Sequence, residues 1–286
     1  MRRLPFVKVE GSGNDFILLD ARRRPLNGNP SEYAKAWCDR RRGIGGDGLL
    51  VVISSRRGDA RMRIFNPDGS EAAMCGNGLR CVAWYLQTLS RGNGSLSIET
   101  GAGLMKAQVV GLERVRSFFQ PPRKIQLKIP ILIRGKRFLI HRVDTGVPHA
   151  VLPVSRLDRI DVSSLGPVIR NHRIFQPAGT NVDWVQIQSP HRIAIRTYER
   201  GVEAETLACG TGAVAAVTIA AALGRLKSPV EVLTAGGEHL TVGFGGAKGA
   251  GSQSRHLYLE GSARISFEGA VPVPFKGAVP RWKELP

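Results

Sequence analysis

The sequence predicts an α+β fold, and three observations carry that expectation. Short strand-like stretches recur along the chain, each half holds one long helix, and both helices open on the same Cys-Gly-x-Gly motif. The regular strand and helix alternation of a parallel doubly wound sheet does not occur. The 286 residues are ample for a core and fit one large domain or two of roughly 140 residues.

Phe6 to Val9 reads as a strand, Gly11 to Asp15 as a glycine-rich turn and Phe16 to Leu19 as a second strand. A helix is expected from Ser31 to Arg40, with Ser31 as its cap, Glu32 in the first turn and Tyr33, Ala34, Trp37 and Cys38 on the apolar face. Strands follow at Leu49 to Ile53 and through Met62 and Ile64, then a polar turn from Asn66 to Ser70 and a helix over 75–89. Ser95 to Glu99 and Met105 to Val110 are short strands, and Pro121-Pro122 marks the expected boundary between a unit 1–120 and a unit 121–262. The second half repeats the style. Strands are expected at 125–129, 137–143, 149–153, 182–187 and 192–198, with a helix start near Ser163-Ser164 and a helix from Gly210 to Leu223. Val230 to Leu233, Leu240 to Val242, Leu257 to Glu260 and Ala263 to Phe267 complete the strands, and Gly243 to Gly251 reads as a loop between two of them.

Composition narrows the function. The hydrophobic share of 42% and mean hydropathy of -0.10 are those of a globular protein. The longest nearly apolar run, Ala213 to Leu223, is well short of the roughly 18 residues that a spanning helix needs. No apolar signal region follows Arg2 and Arg3, so the cytoplasm is the expected compartment. A net charge of +18 invites a nucleic-acid reading, but the clusters at Arg22 to Arg24, Arg40 to Arg42 and Arg56-Arg57 lack interleaved aromatic residues and any nucleic-acid motif. No specific nucleic-acid partner is expected. Four irregularly spaced cysteines suit neither a disulfide framework nor a zinc site, and no metal is expected. Walker, dinucleotide and serine-elbow motifs are also missing.

The signal that remains is the duplicated motif, Cys75-Gly76-Asn77-Gly78 and Cys209-Gly210-Thr211-Gly212, 134 residues apart. Each cysteine stands at a helix N-terminus, where free N–H groups and the dipole favour an anion and should lower a thiol pKa from about 8.5 toward roughly 3.5 to 7.5. The same amides can hold a substrate carboxylate. Two such thiols could face each other across a cleft, and a pair of opposed acid–base groups is what inversion at a carbon acid requires, because one group must take the proton while another returns one to the opposite face. Asn14, Asn66, Asn77, Asn181 and the Tyr198-Glu199-Arg200-Gly201 segment supply polar groups on turns. A Glu with an ammonium and an Arg with a carboxylate are natural recognition units for a zwitterion. His149 is either a structural histidine or a partner that assists a thiol.

Together these motifs resemble the diaminopimelate epimerase family over nearly the whole chain. The resemblance rests on Gly11 to Phe16, Arg42 to Gly48, Phe65 to Ser70, Met74 to Cys81, Gly146 to Val151, Gly179 to Val182, Tyr198 to Gly201 and Glu205 to Gly212. It implies two pseudo-symmetric lobes, each a mixed sheet wrapped around a central helix, with the site in the cleft between them and the final segment 263–286 returning to the first lobe. It further implies cofactor-independent interconversion of LL- and meso-diaminopimelate and a homodimer. Cys75 and Cys209 would exchange the roles of base and acid, and Gly76, Asn77, Gly210 and Thr211 would hold the reacting carboxylate. Asn14, Asn66, Asn181, Glu199 and Arg200 match the substrate-binding set, with Arg200 on the distal carboxylate and Glu199 near the reacting amine, and His149 matches a histidine near the site. Two positions depart from the family pattern: Val147 replaces an Asn and Gly48 a Gln. An alternative is a racemase or epimerase of another amino acid, of the proline, hydroxyproline or histidine type, on the same fold.

Overall fold

The computed structural model describes residues 3–90, 94–245 and 257–272. Its first half runs β1 (Arg3–Gly11), β2 (Asn14–Asp20), α1 (Pro30–Trp37), β3 (Gly48–Ile53), β4 (Ala60–Phe65), β5 (Glu71–Ala72), α2 (Gly76–Leu89), β6 (Ser95–Thr100), β7 (Gly103–Gly111) and β8 (Arg114–Phe119). The second runs β9 (Arg123–Ile133), β10 (Lys136–Asp144), β11 (Pro148–Pro153), α3 (Val162–Arg170), β12 (Asn181–Ser189), β13 (Arg192–Glu199), β14 (Ala204–Thr206), α4 (Gly210–Ala222), β15 (Val230–Leu233), β16 (His239–Gly243) and β17 (Leu257–Ser262). A last strand, β18 (Arg264–Pro272), follows.

The two halves pair their strands in the same way. The hairpin β1·β2 has its counterpart in β10·β11, and the parallel pair β2·β3, bridged by α1, in β11·β12, bridged by α3. The parallel pair β4·β6, whose crossover carries α2, matches β13·β15, whose crossover carries α4. Parallel neighbours need such a crossover, and it places each helix against its sheet. The flanking strands differ in origin, since β9 pairs with β10 inside the second half while β18, near the end of the chain, returns to pair with β1 of the first. An antiparallel seam, β8·β17, with Leu257 opposite Phe119 and Ser262 opposite Arg114, joins them.

Each long helix has its own apolar core. Around α2 lie Val9, Leu18, Leu50, Leu79, Val82 and Leu86, and around α4 lie Val151, Ile193, Val214, Val217, Val232 and Leu240. Helix α4 is apolar on every side because sheet surrounds it, as expected of a central helix. Helices α1 and α3 cover outer faces through Trp37 and Ile169 respectively. The β1·β2 hairpin closes through Ser12 and Gly13, both at positive φ (49° and 86°), the geometry that a two-residue hairpin loop demands. Among the described residues no helix is long and apolar enough to cross a membrane.

Several local expectations shift. The cap of α1 is Asn29, whose side chain accepts from the Ser31 N–H at 3.0 Å, with Pro30 in the first turn. Ser31 instead gives its hydroxyl to Gly69 O. The cap of α3 is Asp161, accepting from the Ser164 N–H. Strand β8 was not evident from residues 114–119 because its arginines look solvated. In the fold Arg116 stacks on Tyr258 at 4.0 Å and pairs with Glu260 across the seam. Most of the Gly243 to Gly251 loop, and the part of segment 263–286 beyond residue 272, lie outside the described residues.

Leu79 is fully buried at the centre of the α2 core, so Leu79→Ala should lower unfolding free energy by about 2–5 kcal/mol in denaturant titration. Leu112→Ala, at a side chain 88% exposed, should change it by less than about 0.5 kcal/mol.

Candidate active site

Both motifs fold as helix caps made by cysteine. Cys75 has extended backbone before α2 and its Sγ accepts the Gly78 N–H at 3.4 Å; Cys209 does the same before α4, accepting from Gly212 at 3.4 Å. Thr211 Oγ1 also stands 3.4 Å from Cys209 Sγ. The glycines of each motif divide the work. A Cβ at Gly76 or Gly210 would meet nothing nearer than 3.9 Å, which leaves open space over the helix end. One at Gly78 would press on Leu50 at 2.9 Å, and one at Gly212 would collide with Asp183, so these two are packing positions.

On the Cys75 side the amides form an oriented chain. Arg80 donates to Asn77 Oδ1, Asn77 Nδ2 donates to Asn14 Oδ1 at 2.7 Å, and Asn14 Nδ2 donates to Asp47 Oδ2 at 2.8 Å. The chain begins at a group that only donates and ends at one that only accepts, and this fixes both amide orientations. Asp47 is held by Arg40 at 2.7 Å, and Arg40 with Lys8 also binds Asp15. Burial disfavours the Asp15 carboxylate, yet the hydrogen bonds and charges of Arg40 and Lys8 outweigh it and hold its pKa at about 2. Asn66 is exposed and gives its amide to Ser70 Oγ at 2.9 Å; among the described residues none of its hydrogen bonds reaches the residues around the cysteines.

On the Cys209 side the network is buried. His149 Nδ1 bonds Asp183 Oδ2 at 2.7 Å, and Asp183 Oδ1 accepts from Thr197 Oγ1 at 2.8 Å. Asn181, opposite His149 in the parallel register, directs Nδ2 to His149 Nε2 at 3.4 Å and accepts the Arg200 N–H at 2.7 Å. The Arg200 guanidinium donates to Ala178 O. Glu199 closes β13 beside this group, and burial raises its pKa while Thr206 and His149 counter part of the effect.

The expectation of depressed thiol pKa values is corrected here. Burial dominates and pushes both thiols up, with the helix N–H groups opposing it only in part. The sulfur atoms themselves are surrounded by protein, and desolvation of an anion exceeds what one or two amides return. Glu199 adds to the rise at both cysteines, so one carboxylate lies within electrostatic reach of the two thiols.

Sequence reasoning missed Arg80, Asp47 and Asp183. Arg80 lies five positions after Cys75, on a buried turn where a charged residue is a local inconsistency, and that mismatch was the available signal. Asp183 stands between the buried Val182 and Trp184, a similar cue.

Comparison with known proteins shows what the chain is similar to. The family model for diaminopimelate epimerase matches residues 6–122 and 142–243. A diaminopimelate epimerase of Carboxydothermus hydrogenoformans is 42% identical over 248 residues, covering 82% of this chain and 90% of that protein. One of Chlorobaculum tepidum is 40% identical over 262 residues, covering 91% and 98%. Among solved structures, a phenazine biosynthesis protein of the PhzF family from Bacillus anthracis superposes with a TM-score of 0.69 at 18% identity, covering 96% of this chain and all of that one. A hydroxyproline epimerase from Agrobacterium vitis, with bound trans-4-hydroxy-L-proline, gives 0.68 at 18% identity, covering 95% and 91%. At that identity the structures share the fold.

The glycine geometry predicts opposite phenotypes. Gly212→Ala should lower the melting temperature by several degrees through its collision with Asp183, whereas Gly76→Ala should melt near the wild type yet weaken ligand binding by filling the space over α2. Thermal melting and ligand titration of both variants check this.

Proposed function

The chain belongs to the diaminopimelate epimerase family, and we propose that it interconverts LL- and meso-diaminopimelate without a cofactor, using Cys75 and Cys209 as the two acid–base groups. The observation that carries the reading is the repeated cysteine cap. Two thiols head two helices in equivalent topological positions, and both lie within reach of Glu199. A thiolate on one side removes the α-proton, and the opposite thiol delivers its own proton to the other face, so the carbon inverts and the two cysteines exchange protonation states. Negative charge that develops toward the α-carboxylate is met by the open helix ends at Gly76-Asn77 and Gly210-Thr211, each donor contributing something like 3 kcal/mol if it behaves as an oxyanion-hole N–H does. Glu199 pairs with the substrate ammonium, and Arg200, with Asn14, Asn66 and Asn181, receives the distal zwitterion. His149, locked to Asp183 and Asn181, holds the second-lobe wall in place.

The proposal also includes the lobes themselves, 1–120 with Cys75 and 121–262 with Cys209, the former completed by β18, and a cytoplasmic homodimer. The separate cores of α2 and α4 support the division. Leu132 and Leu139, 63% and 60% exposed on one face of the β9·β10 hairpin, offer apolar surface that a second copy would cover. Gel filtration at twice the monomer mass is the expected result.

Incubation of the reduced protein with meso-diaminopimelate in heavy water should yield the LL isomer with deuterium at one α-carbon. Cys75→Ala and Cys209→Ala should each reduce product formation by at least about a hundredfold. Full product formation by either variant would refute the two-thiol reading, and exchange with a different amino acid alone would move the activity to a racemase of that substrate. Oxidant should abolish activity while removing both thiols from titration together, and reductant should restore both.

A further inference from the structure

The duplicated helices differ in charge. Five positions after each cysteine, α2 carries Arg80 and α4 carries Val214, both fully buried. Arg80 donates to Gly76 O at 3.3 Å, to Ser12 Oγ at 2.8 Å and to Asn77 Oδ1, while its Nε has no partner. Among the described residues no carboxylate stands within ion-pair distance of it. A buried cation without a counter-ion is strongly unfavourable, so the fold holds a positive charge that an anion in this site would compensate. The thiol at the head of the same helix is such a group, with Arg80 beneath the first turn and its Nη1 3.9 Å from where a Gly76 Cβ would lie.

The surroundings of Cys209 carry carboxylates instead, Glu199 and Asp183, the latter also bonded to His149 Nδ1 at 2.7 Å. Asp183 packs against Gly212, the residue whose N–H caps onto Cys209, and Thr197 and Cys209 Sγ approach the same point at 3.1 and 3.3 Å. Glu199, from β13, opposes ionisation of both thiols, but it is the largest charge effect at Cys209 and ranks behind Arg80 at Cys75. The other charged or titratable groups around Arg80 are Cys81 on its own helix, Arg114 from β8 and Glu238 from the turn before β16.

We propose that Arg80 is a positioning residue that makes Cys75 the first of the two thiols to ionise, so that the free enzyme carries Cys75 as base and Cys209 as acid. The inference rests on the reading of these cysteines as the acid–base pair. The proton lost from Cys75 passes to solvent, and Cys209 keeps its own. Its neighbourhood supports this assignment in direction: Arg80 favours the Cys75 thiolate, whereas Asp183 opposes the Cys209 thiolate.

The test is site-resolved alkylation of the reduced, substrate-free protein by iodoacetamide across a pH series, with each cysteine quantified by peptide mass spectrometry. Midpoints are compared, because absolute rates also reflect access. The Cys75 midpoint should lie below that of Cys209 by about one pH unit or more, the size of effect that a neighbouring opposite charge exerts. Arg80→Met should raise the Cys75 midpoint and close the gap, while Arg80→Lys, which keeps the charge, should retain most of it. Equal midpoints in the wild type, a lower one at Cys209, or a Cys75 midpoint unmoved in Arg80→Met would overturn the proposal. If Arg80→Met does not fold, the wild-type order and Arg80→Lys decide. Product formation that survives Cys75→Ala or Cys209→Ala would instead overturn the reading beneath it, so the two failures are distinct.

Discussion

Everything in this site depends on a cysteine serving as the cap of a buried helix. A Ser or Asp cap would satisfy the same N–H, but a thiol adds a group whose proton can be taken and returned. Cys75 and Cys209 accept from the third residue of their helices and so cannot turn away without leaving a buried amide unpaired. The cap fixes the sulfur, the glycine after it clears the approach, and the glycine two further on lets the helix lie against Leu50 or Asp183. Acid–base chemistry and helix termination are one local structure.

Topology brings two such structures to one place. In each half the helix sits in a crossover between parallel strands, so its N-terminus emerges at a defined edge of the sheet. The return of β18 to β1 and the antiparallel β8·β17 pair then tie the halves together by backbone hydrogen bonds. Backbone pairing on this scale keeps two small groups in register far better than a hinge between independent domains would, as the proposed mechanism, with both thiols addressing one carbon, demands.

The sequence made the repeated parts legible and concealed those that depend on a partner. Alternating Met62 and Ile64, the apolar α4 run and the Cys-Gly-x-Gly pair each carry their meaning within a few residues. Asn29 was overlooked as a cap because Ser31, two residues on, is an equally good cap by composition, and only Pro30 decides between them. Strand β8 was hidden because its arginines find Tyr258 and Glu260 more than a hundred residues later. The thiol pKa values ran opposite to expectation for the same reason. A helix N-terminus is visible in sequence, but the burial that outweighs it is a property of the closed fold.

The pseudo-symmetry is a matter of backbone, whereas the electrostatics are not symmetric, and an epimerase has reason to tolerate that. The ratio of kcat/KM in the two directions is set by the equilibrium between the stereoisomers, whatever the enzyme does. A charge that favours one protonation state of the free enzyme therefore cannot favour one direction, because both directions start from the same free enzyme and pass the same transition state. On the proposed order of ionisation, a substrate carboxylate at the helix ends would add an anion to the field of Arg80 and compete with the Cys75 thiolate for it. The bound site can then approach the balance that rapid proton exchange between two thiols requires, while the empty site remains in one defined form.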